Sequence, residues 1–201
     1  MKRYQFLTSI HPIIDRYIER FIMPESTVID ATLGNGQDTL KIAQRLGPKG
    51  RLYSFDIQKE AIERSQQLLE EADIKLPQIE LIHDSHIHFD RYLAPEEHVD
   101  FIIYNLGYLP RGDKSITTVA DSTLQSVKIG LSLLKPYGVM VIAVYHGHEA
   151  GKEERDQLAQ YLSTLDQRQY HVFCQQFINQ KNNPPFLYLI ERAYNSADAM
   201  E

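Results

Sequence analysis

Val28-Ile29-Asp30-Ala31-Thr32-Leu33-Gly34-Asn35-Gly36-Gln37-Asp38-Thr39 reads as an apolar strand, a glycine turn and a helix start. The strand over 28–30 ends in an acid, Asp30, just before the turn. Gly34 and Gly36 lack a Cβ, so the turn can adopt positive φ and let a ligand approach the backbone. The helix expected over 39–46 points its free N–H groups at that ligand. Roughly twenty residues past the glycines, Leu52-Tyr53-Ser54-Phe55-Asp56 forms a second strand that also ends in an acid. Strand, glycine turn, helix, strand and acid is the layout of a nucleotide-type cofactor site in an α/β sheet.

The pattern departs from the dinucleotide fingerprint GxGxxG, which sets a pyrophosphate on the helix N-terminus. Asp38 follows Gly36 closely, where a pyrophosphate would meet its charge, and Asp30 places a second carboxylate at the mouth of the turn. Two acids suit a cofactor that carries an ammonium or a sulfonium. S-adenosylmethionine has both, together with a ribose whose hydroxyls Asp56 would accept. The plain alternative is a strand-to-helix turn without a ligand.

Length and composition bound the rest. The chain has 201 residues, 43% hydrophobic and 24% charged, with a net charge of −6. That is ordinary for one globular domain with a substantial core. No global basic field advertises a nonspecific nucleic-acid binder. Cys174 is the only cysteine, so no intramolecular disulfide or zinc-type cysteine cluster exists; its apolar surroundings predict a packed thiol. No signal peptide or bilayer-length apolar run is evident, which makes a cytoplasmic protein the expectation.

Apolar periodicity predicts helices over 11–23, 39–46, 59–72, 118–134 and 153–165, and strands over 28–30, 51–55, 79–82, 101–104, 139–145, 171–178 and 186–191. Pro12 suits a first helical turn, and Gly47-Pro48 ends the second helix. Strands alternating with helices imply a mostly parallel sheet with helices on both faces. The last two strands, separated by Asn182-Asn183-Pro184-Pro185, would close as a hairpin, making one of them antiparallel. The expected fold is a single α/β domain over 1–201, Rossmann-like, with a seven-stranded sheet. Gly107 to Thr118 reads as a mobile active-site loop.

Three segments in order sharpen this: Asp30 to Thr39, His83-Asp84-Ser85-His86, and Asn105-Leu106-Gly107-Tyr108-Leu109-Pro110 with Gly112-Asp113-Lys114. Across essentially the whole chain the sequence resembles the class I S-adenosylmethionine-dependent methyltransferases. Within them it is similar to the small bacterial family labelled rRNA methylase, whose members include tRNA wobble-uridine methyltransferases. The resemblance implies methyl transfer to the amine of 5-aminomethyl-(2-thio)uridine in the anticodon stem-loop of tRNA. Arg111 stands where many relatives carry a second glycine, and its guanidinium suits RNA phosphate.

The expected cofactor set is Asp30, Thr32, Gly34, Asn35, Gly36, Gln37, Asp38 and Thr39 of the turn, Asp56 and Gln58 after the second strand, Asp84, Ser85 and His86 after the third, and Asn105. Asp84 would read the adenine amino group. Asn105-Leu106-Gly107-Tyr108 resembles the Asn-Pro-Pro-Tyr motif of amino-group methyltransferases. The Asn105 oxygen and the Leu106 carbonyl can accept two N–H bonds from the nucleophile and aim its lone pair at the methyl carbon. Tyr108 would stack on the base. A primary amine is mostly protonated at neutral pH, so a proton acceptor is needed; Asp113, His86 and His146 are the candidates, with Asp113 placed among the catalytic residues. Arg111, Lys114 and His146 complete the substrate side, and Lys2, Arg3 and Lys181 extend a basic rim. His83, His86 and His88 with Asp84 and Asp90 fall on alternating faces, so no metal is expected. A single domain shows no RNA-docking module; either a short stem-loop suffices or a second subunit completes the surface, which makes a homodimer one expectation. The competing readings are an rRNA methyltransferase, a small-molecule amine methyltransferase and a noncatalytic S-adenosylmethionine-binding protein.

Overall fold

Period-two alternation in the central strands sorts their side chains onto two faces, and each face takes its own helices. The computed structural model describes residues 4, 7–74, 78–106, 120–147 and 149–194. In chain order, α1 (His11–Phe21) leads into β1 (Thr27–Asp30), α2 (Gln37–Ala43), β2 (Arg51–Asp56), α3 (Lys59–Glu71), β3 (Ile79–His83), a 3-10 helix (His86–Arg91), β4 (Val99–Leu106), α4 (Ala120–Leu133), β5 (Leu134–Val144), α5 (Glu149–Ser163), β6 (Tyr170–Gln175) and β7 (Phe186–Arg192). Val28, Phe101, Ile103, Val141 and Ala143 point to one face, where Ile14 and Ile18 of α1, Ile42 of α2 and Leu69 of α3 cover them. Ile29, Ile102, Tyr104, Ile142 and Val144 point to the other, under Val127 and Leu131 of α4 and Leu158 and Leu162 of α5.

The sheet has seven strands in the order β3-β2-β1-β4-β5-β7-β6. Of these, β7 alone runs against the rest, pairing antiparallel with both β5 and β6. The chain winds outward from β1 through β2 to β3, then returns to the other side of β1 at β4. Strand order therefore reverses between β1 and β4, and the crevice beyond their carboxyl ends is where such sheets bind ligands. Asp30 ends β1 and Asn105 is the penultimate residue of β4, so both sit at that crevice.

Three local features differ from the sequence expectation. β4 extends past the predicted strand at both ends, so Asn105 is paired in register with Ala143 rather than lying in the loop beyond. A 3-10 helix follows Asp84, started by the Ser85 side chain accepting from Ile87 N–H; short 3-10 turns have no sequence period strong enough to announce them. Cys174 is exposed, not packed, because β6 is the outermost strand and, among the described residues, no layer covers it; Phe173 beside it is 57% exposed. Apolar composition predicts burial only where a neighbouring layer exists to supply it.

Candidate active site

The glycine turn is held in place by bonds to β2 and within itself. Leu33 N–H donates to the Phe55 carbonyl at 2.9 Å, and Gly36 N–H closes the turn on the Leu33 carbonyl at 2.8 Å. Gly34 has φ +54° and Gly36 has φ +72°, a region that costs an L side chain. Gly36 is also the N-cap of α2. A Cβ there would lie 2.6 Å from Ser65 Oγ, 2.8 Å from its Cβ and 3.1 Å from its Cα, so α3 packs directly on the turn. Gly36→Ala is expected to destabilise the fold by about 1–3 kcal/mol. A thermal melt lowered by several degrees would show it, and an unchanged melt would refute the packing argument.

Asp56 at the end of β2 ties the turn to the sheet. Its Oδ2 accepts from Gly34 N–H at 2.9 Å and its Oδ1 from Gln58 N–H at 2.9 Å. Burial raises the pKa of this carboxyl above its ordinary value, against the pull of those N–H bonds. Each oxygen keeps lone-pair capacity for a further donor, which is what two ribose hydroxyls require.

Asp30 lies deeper than the sequence suggests. It is 2% exposed, beneath the turn and not at its mouth. Its Oδ2 accepts from Thr39 Oγ1 at 2.6 Å and its Oδ1 from Thr32 N–H at 3.2 Å; Thr39 Oγ1 also shares a 2.8 Å bond with Ser54 Oγ. Any influence of Asp30 on a cofactor therefore passes through the turn it braces. Burial pushes its carboxyl up to about 7; the Thr39 bond opposes this, while the Asp38 and Asp56 charges add to it. A folded-state pKa above the unfolded one means that the folded protein binds the extra proton, so this contribution to stability is complete below about pH 4 and is lost as pH rises through about 7. Asp30→Asn should remove that decline, worth on the order of a few kcal/mol, from unfolding curves taken between these pH values. An identical slope in the variant would refute it.

The turn and the carboxyl end of β4 are stitched together. Asn105 N–H donates to Thr32 Oγ1 at 2.7 Å, and Asn105 Nδ2 donates to Asp38 Oδ2 at 2.6 Å. Asn105 Oδ1 is buried and, among the described residues, accepts no hydrogen bond. A buried carbonyl oxygen left without a donor is costly, and such atoms cluster where a ligand supplies the partner. Leu106, the last residue of β4, is buried beside it.

These features fit S-adenosylmethionine better than a dinucleotide. The turn lacks a third glycine, an acid ends β2, and acids brace the turn where a pyrophosphate would need unopposed N–H groups. The family model described as "Putative rRNA methylase" matches residues 52–191. The chain belongs to this rRNA methylase family. It is 34% identical over 181 residues to the chloroplastic tRNA (mnm(5)s(2)U34)-methyltransferase of Arabidopsis thaliana, covering 87% of this chain and 66% of that one. A crystal structure of a "putative rRNA-methylase" from Clostridium thermocellum aligns with a TM-score of 0.87 and 36% identity, over 92% of this chain and 97% of that one. A Streptococcus mutans protein solved in complex with SAH aligns with a TM-score of 0.80 and 33% identity, over 90% and 96%. The chain thus spans almost all of these solved relatives but about two thirds of the chloroplast protein. It spans about a quarter of the ribosomal RNA small subunit methyltransferase H proteins that it also matches. Family and fold make this a class I S-adenosylmethionine-dependent methyltransferase domain.

Within the rRNA methylase fold, Asp84 is engaged by its own neighbourhood. Its Oδ1 accepts from Ser85 N–H at 2.7 Å and pairs with His88 Nδ1 at 2.8 Å, and its Oδ2 accepts from Tyr92 Oη at 2.8 Å. Burial works to raise its pKa, but these three partners, His88 foremost, hold the carboxyl down to about 2. An adenine amino group would join a carboxylate already holding three donors. His86 is pushed down to about 4 by burial and packs its ring against Tyr104, centroids 6.0 Å apart. His146, just beyond β5, lies below its ordinary pKa through burial and the nearby Arg155 charge, and packs against Phe186 at 5.4 Å. Burial therefore disfavours the protonated form of both imidazoles. Asn35 and Gln37 sit on the turn, Gln37 exposed; Gln58 caps α3. The expectations for Tyr108, Arg111, Asp113 and Lys114, and for Lys2 and Arg3, fall outside the described residues.

Sequence reasoning missed Tyr145, Lys41 and Asp15. The Tyr145 hydroxyl, pushed up to about 12 by burial and by the Asp38 charge, lies 3.5 Å from His11 Nε2. Its place as the last residue of the strand predicted over 139–145, at the carboxyl edge, was the available signal. Lys41 is three residues on from Asp38 along α2, a helical neighbour spacing, and reaches both Asp38 Oδ1 at 3.3 Å and Asp15 Oδ1 of α1 at 2.5 Å. Nothing in the sequence points Asp15 there.

Proposed function

We propose that this protein transfers the methyl group of S-adenosylmethionine to the amine of 5-aminomethyl-(2-thio)uridine at the wobble position of tRNA, giving the 5-methylaminomethyl form. The observation that carries the chemistry is Asn105 Oδ1, buried at the carboxyl end of β4 with no donor among the described residues. An amine offers N–H groups to that oxygen and to the Leu106 carbonyl; a ring carbon or a hydroxyl acceptor offers fewer. The likeness over most of the chain to a tRNA methyltransferase carries the substrate.

When bound, S-adenosylmethionine supplies an electrophilic methyl carbon on a sulfonium. The turn at Gly34 and Gly36 and the Asp56 carboxylate hold the cofactor. Asn105 and Leu106 orient the neutral amine in line with the methyl carbon. With the amine so held, its lone pair would be aimed at the methyl carbon, the new C–N bond replacing the S–C bond and leaving S-adenosylhomocysteine and a proton. Thr32 and Asp38 fix Asn105 against the turn, which keeps cofactor and acceptor sites in one frame.

The RNA face lies along the same edge. β6 runs with the parallel strands, so the connection from it to β7 over 176–185 lies beside the carboxyl ends of β4 and β5. It carries exposed Lys181 and Ile178, the latter 90% exposed. Arg111 and Lys114 belong to the same proposal as phosphate contacts of an anticodon stem-loop. Among the described residues, no helix is long and apolar enough to cross a membrane. Action in the cytoplasm and a homodimer that completes the docking surface are further parts of this reading; a monomer by light scattering at working concentration would remove the dimer.

The test is transfer from labelled S-adenosylmethionine to tRNA lacking the terminal methyl, followed by nucleoside mass spectrometry. A 5-methylaminomethyl product is expected. No tRNA product with intact cofactor binding would move the reading to ribosomal RNA, the acceptor in the family's label.

A further inference from the structure

We propose that Asp38 is a positioning residue that locks the Asn105 amide with its oxygen toward the methyl acceptor, and that Lys41 and Asp15 hold Asp38 in that pose. This rests on the amine-acceptor reading of Asn105. A primary amide can rotate half a turn about its last bond and exchange oxygen for nitrogen at nearly the same positions. Only one of those orientations accepts a bond from an amine; the other presents NH2, which would donate to the amine's lone pair and turn it away from the methyl carbon. An ionised carboxylate accepts and never donates, so it can face only the NH2 end.

Asp38 supplies that constraint from the first turn of α2, across 67 positions of sequence, at 2.6 Å. Charge-assisted bonds of this length are the stronger kind. Turning the amide over would break this bond and set its oxygen against a carboxylate oxygen. The other oxygen of Asp38 faces Lys41 at 3.3 Å, and Lys41 is bridged in turn to Asp15 of α1 at 2.5 Å. Asp38 is only 14% exposed at its side chain, so water does not compete freely for these bonds. The sequence expectation set this acid beside a cofactor that carries an ammonium or a sulfonium; in the structure its short bond is to Asn105.

Asp38→Asn tests the lock, because an amide at 38 can meet either end of Asn105. In wild-type protein with 15N-labelled asparagine, one Asn105 side-chain proton should resonate well downfield of its partner, the assignment coming from Asn105→Ala. Asp38→Asn should collapse that separation. The single-turnover rate with 5-aminomethyl-uridine tRNA should fall about 10–100-fold, with the affinity for S-adenosylmethionine by calorimetry within about threefold of wild type. Asp38→Asn combined with Asn105→Ala should be no slower than Asn105→Ala alone, since a residue acting through another adds nothing once that one is gone. Lys41→Met should give the same defect in milder form. An unchanged amide spectrum in Asp38→Asn overturns the proposal. So does a loss confined to cofactor affinity, or one that multiplies with the loss in Asn105→Ala. Should wild-type protein leave that tRNA unmethylated, the function proposed above fails, while the amide spectrum still decides the role of Asp38.

Discussion

Asn105→Ala is expected to lower the single-turnover rate of methyl transfer by about 100-fold or more, with S-adenosylmethionine affinity changed by no more than a few fold. The asymmetry follows from the direction of the side chain. Its NH2 is held by Asp38 and its backbone N–H by Thr32, both on the cofactor side. Its oxygen has no donor among the described residues, which is the place proposed for the acceptor amine. Truncation removes the acceptor contact and the alignment it enforces, while the turn keeps its own bonds to β2 and Asp56. A variant with the full single-turnover rate and merely weaker cofactor binding would reject the assignment. A noncatalytic binding protein predicts no loss of biological role on this substitution, so complementation separates that reading from the enzyme.

Asp56→Ala should weaken S-adenosylmethionine binding by about 1.5–3 kcal/mol, which is roughly 10- to 150-fold in affinity. Two effects add. The ribose hydroxyls lose charge-assisted bonds, and Gly34 N–H and Gln58 N–H lose the acceptor that sets the turn and the start of α3. Asp56→Asn separates them, because an amide oxygen can still serve one N–H but carries no charge. It is expected to bind with intermediate affinity and to keep a near-wild-type melt. Calorimetry showing unchanged affinity in Asp56→Ala would refute the ribose role. The raised pKa of Asp56 adds a pH signature: protonation removes an acceptor, so affinity should fall as pH drops toward that value.

How far each residue could be read in advance depended on whether its partners were local. Gly34, Gly36 and Asp56 were legible because a tight turn needs glycine and a strand end needs its acid at fixed spacing. Asn105 was legible as a motif but not as a conformation; its membership in β4 depends on pairing with β5. Asp84 and Asp30 were recognised as acids at strand ends. Their occupation by His88, Tyr92, Thr39 and Thr32 arises from a 3-10 turn and a buried hydroxyl that carry no periodic signal. Cys174 misled because an apolar strand reads alike at the edge and in the middle of a sheet.

By itself the sequence determined the strand and helix order, the single antiparallel strand, the glycine turn and the acids around it. Each rests on near-neighbour chemistry: period-two and period-3.6 apolar patterns, missing Cβ atoms, caps and breakers. Only the tertiary structure decided which end of the Asn105 amide Asp38 holds, that Lys41 and Asp15 stand behind Asp38, and that Asp30 is buried. Those relations join α1, α2, β1 and β4, brought together where the strand order reverses. A hydrogen bond between groups 67 positions apart depends on that folding geometry and not on any spacing along the chain.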